Sequence, residues 1–452
     1  MNGRIITSEG EEPEMRCKRL IVGFSVLVFL CFGMMGSSLF AQEEEEVLTL
    51  SESIAMALEK NWTLRAKEEG VRQANAVKDQ SRADFFPTLS TTYGYTGYKD
   101  DLMRLGEFTF QRSKDNYSWR TNLSLPIFTG FALSSAYELS KLGVDQAEVE
   151  VGLEELDLAL RVKQAYFNIL IADKAVDVAE KDVASRKSNA DVARNFYEVG
   201  MIPVNDLLQA EVEWADAQQT LVKVQNSARL ARSAFNVILA REVNAPVEVE
   251  DILDYRPAVG EFGDFVERAL EQRPEIKAIE IAILQADQRI RLAKSGHYPT
   301  VTISGEYVKQ GDSFDVSGSP YHIPRDLSAG VTLSWTLFQG GKTYYSTREN
   351  ESVKRELMET KRALEDSITL ELKTALLDLE TSEKNIPTTR QAVEQGEENL
   401  RVSEERYKAQ VTTITEVLDA QTRLSQARVN YYRAFYDHNL AKARLLRAIG
   451  EY

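Results

Sequence analysis

An internal duplication constrains the fold of this chain more than any other feature of its sequence. The segment "LSLPIFTGF" at 123–131 returns as "LSWTLFQGG" at 333–341. Likewise, "YEVGMIPVNDLLQAE" at 197–211 returns as "YKAQVTTITEVLDAQ" at 407–421. Because these matches keep their order and their spacing, we interpret the sequence as a tandem repeat of a unit of roughly 190 residues.

The duplication divides the chain into two similar structural repeats. We expect the first repeat over residues 42–240, a linker over 241–260 and the second repeat over 261–452. Each repeat should comprise a helical segment, a pair of short strands, one very long helix and a return helix. Such a chain would be mainly helical with a small β part.

Both repeats contain long helical segments. The first helical segments are predicted over Ser51–Ala83 and Asp264–Ser295, and the long helices over Ser134–Glu198 and Thr343–Ala409. At 1.5 Å per residue each long helix would extend about 100 Å, far beyond the helices of globular proteins. Pro387 lies inside the second long helix, where it should kink the helix or require local repair of its hydrogen bonds.

Residues 1–41 have the pattern of an export signal. A basic stretch, "MRCKRL", precedes the apolar run "IVGFSVLVFLCFGMM" and small residues that end at Ala41. This order is typical of a cleaved secretory signal peptide, whereas a retained membrane anchor would need a longer apolar run. Both cysteines, Cys17 and Cys31, fall in this segment, so the exported protein would contain no cysteine. The residues before Cys31 do not fit a lipoprotein signal, and we expect no lipid anchor.

Composition and motif content argue against several classes of function. The net charge of −16 disfavours nucleic acid as a partner. After residue 41, no stretch is long and apolar enough for a transmembrane helix. The three histidines, His297, His322 and His438, lack metal-binding spacing, and no glycine-rich phosphate loop is present. We therefore predict no metal site, no cofactor and no enzyme activity.

Regular apolar positions indicate how the helices pack. In the return helix of the first repeat, residues spaced alternately three and four apart form a heptad seam. The seam comprises Leu207, Ala210, Trp214, Ala217, Leu221, Val224, Ala228, Ala231, Phe235 and Ile238. A second track, Leu208, Val212 and Ala215, lies beside the seam, so this helix needs a neighbour on both sides. The helices alone fit two architectures equally: a curved sheet of helices, or a solvated antiparallel coiled coil.

The predicted strands favour a protein that spans a membrane. Four runs, which begin near Leu89, Tyr117, Val301 and Leu327, alternate apolar or aromatic residues with small polar ones. The last run, which we expect to extend to Leu337, is the most regular. Each run is about ten residues long, the length of a transmembrane β-strand with one lipid-facing and one polar face. A soluble hairpin packed on a helix would show the same period and is the alternative.

Four strands per chain have consequences for assembly. Open sheet edges are not tolerated in lipid, and the smallest closed barrels have about eight strands. The predicted sheet can therefore close only when at least two copies of the chain contribute strands. Gly130, Gly340 and Gly341 are expected where a strand leaves the membrane and the chain turns into a long helix.

Together these features resemble the TolC-like outer membrane efflux proteins. The similarity runs from "LTLSESIAMALEKN" to the end of the chain, and its marks are "FPTLS", "YPTVT" and the exit "FQGG" at Phe338–Gly341. The resemblance implies a homotrimer, with a twelve-stranded barrel in outer membrane lipid and a long antiparallel coiled-coil helical barrel in the periplasm. It also implies docking to a periplasmic adaptor (membrane fusion protein) and, through it, to an inner-membrane pump of the proton-driven or ABC type.

The resemblance also assigns roles to the helix tips. Glu416 and Asp419 match acidic residues that ring the periplasmic gate in the family, and Asp206 and Gln209 stand at the corresponding positions of the first repeat. The alternative is that these carboxylates are helix N-caps or first-turn residues favoured by the helix dipole. The residues expected to contact the adaptor are Gly200, Met201, Ile202, Pro203, Val411, Thr412 and Thr413. Gln410 stands where the family usually has glycine, so the second turn departs from the family pattern.

Two classes of function follow from the sequence. The first is a passive exit duct of a tripartite efflux or type I secretion system, with drugs, metal ions or polypeptides as its cargo. The second is an exported structural coiled coil that spaces the cell envelope and conducts nothing. The alternating strands with aromatic ends favour the duct, and the acidic tip residues should make it prefer cations.

Overall fold

The computed structural model describes residues 47–252, 260–318 and 325–452. The predicted signal peptide, His322 and residues 253–259 of the predicted linker lie outside these described residues. The described part is mostly helical with a small β part, as predicted.

Each half of the chain contributes a similar series of elements. In the first half these are β1 (Val47–Leu48), α1 (Leu50–Lys60), α2 (Trp62–Ala83), β2 (Thr88–Gly97), β3 (Leu102–Leu105), β4 (Phe108–Gln111), β5 (Asp115–Phe128), α3 (Ala132–Glu198), α4 (Val204–Ile238) and β6 (Glu248–Val249). In the second half they are α5 (Phe262–Gln272), α6 (Pro274–Lys294), β7 (Thr300–Gly311), β8 (Arg325–Ser334), α7 (Lys342–Lys408) and α8 (Ile414–Ile449).

The predicted helical segment at the start of each repeat consists of two helices separated by one extended residue. Asn61 separates α1 from α2 with an extended backbone, and its side-chain oxygen accepts a hydrogen bond from the Thr63 amide at 2.8 Å. Arg273 separates α5 from α6 in the same way, because the proline ring of Pro274 disfavours a helical conformation in the preceding residue. The sequence analysis missed both breaks since apolar periodicity continues across them.

The two long helices agree with the prediction. Each of α3 and α7 contains 67 residues and so extends about 100 Å. The helix α7 continues through Pro387, which cannot donate a backbone hydrogen bond. Two hydroxyls bond to nearby carbonyls: Thr388 Oγ1 donates to Lys384 O at 3.0 Å, and Thr389 Oγ1 to Asn385 O at 2.8 Å. The helix is therefore not ended by the proline.

Four strands form one antiparallel sheet in the order β2–β5–β7–β8. The strand β8 ends at Ser334, so the expected extension to Leu337 is wrong. Ser334 pairs with Thr300, the first residue of β7, and the ladder stops there because β7 offers no further partner. The sequence analysis also missed the β3–β4 hairpin, which lies in the connection between β2 and β5.

The helices that adjoin the sheet keep the order of the strands. Four helices form a single layer in the order α2–α3–α6–α7, because α2 packs on α3, α3 on α6, and α6 on α7. Beyond that layer α3 pairs with α4, α7 pairs with α8, and α3 also contacts α8. Among the residues that the structure describes, no helix has both the length and the apolar composition required to cross a membrane.

Three apolar clusters hold the helices together. The first surrounds Tyr166 and Phe235, the second surrounds Leu372 and Leu445, and the third, around Val417, lies where all four long and return helices end or begin. In the first cluster the Tyr166 hydroxyl donates to Glu250 O at 2.7 Å, next to the short parallel pair β1–β6. The first and third clusters combine residues of both repeats, so the repeats pack on each other as well as internally.

Candidate functional site

Both strand exits use two successive residues in the left-handed conformation. At the first exit Gly130 has φ 61° and Phe131 φ 71°; at the second, Gly340 has φ 61° and Gly341 φ 84°. A side chain at Gly130 would lie 2.6 Å from the Ser295 carbonyl oxygen, whereas a side chain at Gly340 would meet no atom within 4 Å. The predicted exit glycines therefore occupy the turns into α3 and α7, and only Gly130 is also required by close packing.

The two helix tips have the same turn geometry. After α3, Gly200 has φ 75°, and the Met201 amide donates to Phe196 O at 2.8 Å. After α7, Gln410 has φ 58°, and the Val411 amide donates to Arg406 O at 2.9 Å. Each turn thus closes its helix with the bond of a Schellman motif. The departure at Gln410 does not change the turn; it places a non-glycine residue in a conformation that glycine prefers.

The residues predicted to contact an adaptor differ in exposure. Met201 and Val411 are exposed at corresponding positions of the two turns. Pro203 and Thr413 are the N-caps of α4 and α8, and neither makes a side-chain capping bond. Ile202 is half-buried and packs on the third apolar cluster, around Val417, which we call the tip cluster. Thr412 is also half-buried, and its hydroxyl oxygen is buried and has no partner within the described residues.

The predicted gate residues lie in the first turns of α4 and α8. Asp206 and Glu416 are each the third residue of a helix, where the helix dipole favours a carboxylate. Glu416 is exposed and lies 3.6 Å from the Arg406 guanidinium. Asp419 is exposed in the next turn of α8. Gln209 joins the two repeats, because its side-chain oxygen accepts a hydrogen bond from the Thr415 hydroxyl at 3.4 Å.

Tyr407, which the sequence analysis did not single out, lies at the centre of the tips. Its ring is buried in the tip cluster and contacts the Phe196 ring at 5.7 Å. The hydroxyl oxygen of Tyr407 is buried without a hydrogen-bond partner in the described part of the chain. Burial and the nearby charge of Asp206 raise the pKa of Tyr407, so the phenol stays neutral beside that carboxylate.

A polar network above the tips was also missed. Arg186 of α3 pairs with Asp182 at 2.9 Å and with Glu213 of α4, and it donates to the Thr422 hydroxyl of α8 at 3.0 Å. The Gln421 amide of α8 donates to the Asp182 carboxylate at 3.3 Å. In α3 the apolar residues Val176, Ala179 and Val183 are spaced three and four apart, but the next one in this series is Ala190. This gap was the available signal for a polar residue at Arg186. The network ties three helices from both repeats together.

The sheet has two unlike faces. The register aligns the apolar residues of all four strands on one face, where Leu89 pairs with Leu123, and Val301 pairs with Leu333. This face is uncovered: Leu89 and Leu333 are 72% and 64% exposed. The opposite face is polar, and there the Arg120 guanidinium lies 2.9 Å from the Glu306 carboxylate across adjacent strands. The outer strands β2 and β8 have no further strand beside them among the described residues.

Comparison with known proteins identifies the family. A family model described as "Outer membrane efflux protein" matches residues 53–241 and 265–451. The chain belongs to this family. The TolC-like resemblance stated from the sequence is thereby confirmed.

Individual relatives of this outer membrane efflux protein are similar over most of their length. "Outer membrane protein TolC" of Vibrio cholerae is 25% identical over 375 residues, which cover 82% of this chain and 83% of the relative. "Alkaline protease secretion protein AprF" of Pseudomonas aeruginosa is 24% identical over 427 residues, 90% of this chain and 85% of the relative. The crystal structure of the outer membrane protein VceC from Vibrio cholerae matches with a TM-score of 0.74 at 18% identity, over 89% of this chain and 96% of that one. The relatives are outer membrane efflux and secretion channels.

In this outer membrane efflux protein the described residues include no cluster of three or more His, Cys, Asp or Glu side chains that could hold a metal ion. Its chemically distinctive places are thus the two-faced sheet, the strand exits and the helix tips. Each is built from both repeats.

Proposed function

We propose that this chain is the subunit of an outer membrane channel-tunnel, a passive exit duct for efflux or secretion. The observation that carries the proposal is the sheet, whose apolar face is uncovered and whose polar face carries the Arg120–Glu306 pair. Apolar-out and polar-in alternation is the pattern of a transmembrane strand that lines an aqueous lumen. Because the sheet continues into helices about 100 Å long, the duct would reach far beyond the membrane.

The subunit would act as a homotrimer. The free edges of β2 and β8 need partners in lipid, where unpaired backbone groups are costly. Three copies give twelve strands, above the roughly eight that the smallest barrels need. The uncovered apolar track on α4 supports such an assembly, because Leu208 and Val212 are exposed beside a seam that is buried within the chain. Residues 1–41 would direct export and be removed.

The helix tips would form the periplasmic gate and the docking site of the adaptor. In a three-fold assembly each inward carboxylate occurs three times, so Glu416 and Asp419 would form rings that attract cations. The exposed turn residues Met201 and Val411 would contact a periplasmic adaptor that links the duct to an inner-membrane pump. The pump, proton-driven or ABC type, would supply the energy and select the cargo.

Photo-crosslinking in living cells tests the coupling. A photoreactive residue at Val411 should capture one periplasmic adaptor, identified by mass spectrometry, because this side chain is exposed at the tip. The same residue at Leu230, which is exposed on α4 away from the tip turns, is the matched control and should not capture that protein. Capture of no adaptor from Val411, or equal capture from both positions, would remove the proposed docking site.

A further inference from the structure

A cavity lies where the first strand exit meets the end of α6. It encloses about 270 Å³, close to the lower limit of small-molecule sites, which span roughly 300–1,000 Å³. Its lining combines the aromatic residues Phe131 and Tyr298 with the charged residues Glu138, Arg291 and Lys294. We call this space the junction cavity.

The aromatic lining of the junction cavity adjoins the apolar face of the sheet. The Phe131 ring contacts Phe128 and Tyr298 edge to face, each at 5.4 Å between ring centroids. Phe128 is paired with Val301, which belongs to the apolar face. Aromatic side chains at the end of such a face are typical of the boundary between lipid and water. The cavity would therefore lie at the level of lipid headgroups, and this step rests on the proposed function.

Phe131 is held in the cavity wall at an energetic cost. Its φ of 71° is left-handed, whereas the equivalent residue of the second exit is a glycine, Gly341. A non-glycine residue in this conformation is uncommon, because the side chain crowds the backbone. Within the chain the ring is still 56% exposed, so its packing on Phe128 and Tyr298 leaves an open apolar surface beside the cavity.

The charges of the cavity wall complement a zwitterion. Within the described part of the chain, Arg291 and Lys294 have no carboxylate partner and make no side-chain hydrogen bond, and both are exposed. They are three residues apart, so they share one side of α6. Glu138 of α3 lies in the same cavity, and among the described residues its carboxylate makes only a long contact, 3.9 Å, with the Lys141 ammonium. Two free cations suit a phosphate, and one available carboxylate suits a primary ammonium group.

We infer that the junction cavity binds the headgroup of a phosphatidylethanolamine molecule at the periplasmic surface of the outer membrane. The phosphate would lie against Arg291 and Lys294, the ammonium against Glu138, and the acyl chains would extend past Phe131 over the apolar face. Such a lipid would fix the depth at which the barrel passes into the helices. A phosphatidylcholine headgroup fits less well, because its quaternary ammonium cannot donate a hydrogen bond to the carboxylate.

Native mass spectrometry of the full-length protein in detergent tests the inference. The protein is incubated with equal amounts of phosphatidylethanolamine, phosphatidylglycerol and phosphatidylcholine of matched acyl chains. We expect wild type to retain phosphatidylethanolamine in preference to the others. Arg291→Gln/Lys294→Gln should lower that retention about tenfold, because both positive charges that face the phosphate are lost. Glu138→Gln should abolish the preference for ethanolamine over choline while phosphate-dependent binding remains.

Controls separate the outcomes. Lys187→Gln/Lys277→Gln removes the same charge from exposed positions of α3 and α6 outside the cavity and should retain lipid like wild type. Equal retention by the cavity variant and this control would overturn the inference, and so would equally strong binding of inorganic phosphate alone.

Planar-bilayer recordings on the same preparations report on the duct itself. Conducting protein without a retained headgroup refutes only the lipid site, whereas protein that never conducts refutes the proposed function and the lipid site with it.

Discussion

The side-chain amide of Asn189 in α3 donates a hydrogen bond to the side-chain oxygen of Gln421 in α8 at 2.9 Å. Both residues are buried, and the bond joins the long helix of the first repeat to the return helix of the second. A buried polar group without a partner costs about 1–3 kcal/mol, so neither amide can be removed without loss. The pair therefore fixes α8 against α3 next to the tips.

Replacement of Gln421 should loosen the tips. Gln421→Leu leaves Asn189 unpaired and removes the bond to Asp182, which should destabilise the α3–α8 contact by about 1–3 kcal/mol. Hydrogen exchange of residues 182–193 should accelerate, and the mean conductance should rise. Gln426→Leu is the matched control, because Gln426 lies exposed on the same helix and bonds only to Asn430. Equal exchange in the two variants would show that the pair does not hold the tips.

Substitutions at Gly200 and Gln410, the left-handed residues of the two tip turns, should change the stability of the protein in opposite directions. A non-glycine residue in the left-handed conformation is destabilised by about 1–2 kcal/mol. Replacement by glycine removes this cost, but glycine is more flexible in the unfolded chain, which offsets about 0.5–1 kcal/mol of the gain. Gln410→Gly should therefore stabilise the protein by about 0.5–1 kcal/mol, and Gly200→Gln should destabilise it by a similar amount. Denaturant unfolding measures both. A loss of stability in Gln410→Gly would mean that the Gln410 side chain contributes contacts absent from a single chain.

The exit glycines should differ in their tolerance of alanine. Gly340→Ala adds a side chain that meets no atom within 4 Å, so only the left-handed φ of 61° opposes it, at about 1–2 kcal/mol. Gly130→Ala has the same φ and in addition overlaps the Ser295 carbonyl, which adds about 1–3 kcal/mol of overpacking. The thermal midpoint and the yield of folded protein should fall further for Gly130→Ala. Similar losses in both variants would contradict the close packing at Gly130.

Neutral side chains at the proposed gate should change ion selectivity. Glu416→Gln/Asp419→Asn removes two carboxylates per chain, both from the tip between α7 and α8, and should shift the reversal potential in a salt gradient toward weaker cation preference. Asp79→Asn/Asp84→Asn removes the same charge from exposed positions near the end of α2 and serves as the control. An unchanged reversal potential in the gate variant would show that these carboxylates do not face the ion path.

The ion cluster at the α5–α6 break should make stability sensitive to acid. Burial of Glu275 opposes its ionisation, but the hydrogen bonds and charges of Arg273 and Arg447 outweigh burial and hold the pKa of Glu275 below its usual value. A carboxyl whose folded pKa is lowered stabilises the fold above its unfolded pKa and loses this effect as pH falls through the folded value.

Glu275→Gln should therefore reduce the thermal midpoint at pH 7, and the difference from wild type should shrink below pH ~4.5. Glu267→Gln on α5, where the carboxylate is exposed, should have no such pH-dependent effect. A constant difference between wild type and Glu275→Gln from pH 7 to pH 4 would contradict the assigned role of its charge.

The sequence was sufficient for the features that depend on periodicity. The alternation near Leu89 and Leu327 predicted the strands, because side-chain period reports secondary structure directly. The long runs without a proline, apart from Pro387, predicted α3 and α7. The same periodicity did not reveal the breaks at Asn61 and Arg273, where a single extended residue separates two helices without interrupting the apolar pattern.

The tip interactions could be predicted only in part. Glu416 and Asp419 were singled out through the resemblance to the family, and Asp206 and Gln209 through the internal repeat, and their role at the gate stays a prediction. Tyr407 and the Asn189–Gln421 pair were missed, because their partners lie on helices remote in sequence and no local pattern encodes that packing. Arg186 lies in a gap in the apolar pattern of α3. Such a gap indicates a polar residue at that position but not the residues that it contacts.

Single-channel recording in planar bilayers tests the central claim most directly. Wild type should give discrete conductance steps of one size, as a closed barrel with a fixed lumen requires. Val331→Arg, on the apolar face, should prevent insertion, whereas Thr332→Arg, on the polar face of the same strand, should insert and change the conductance. Protein that is folded and oligomeric but gives no steps, or that tolerates Val331→Arg as well as Thr332→Arg, would contradict the duct and leave a non-conducting envelope protein.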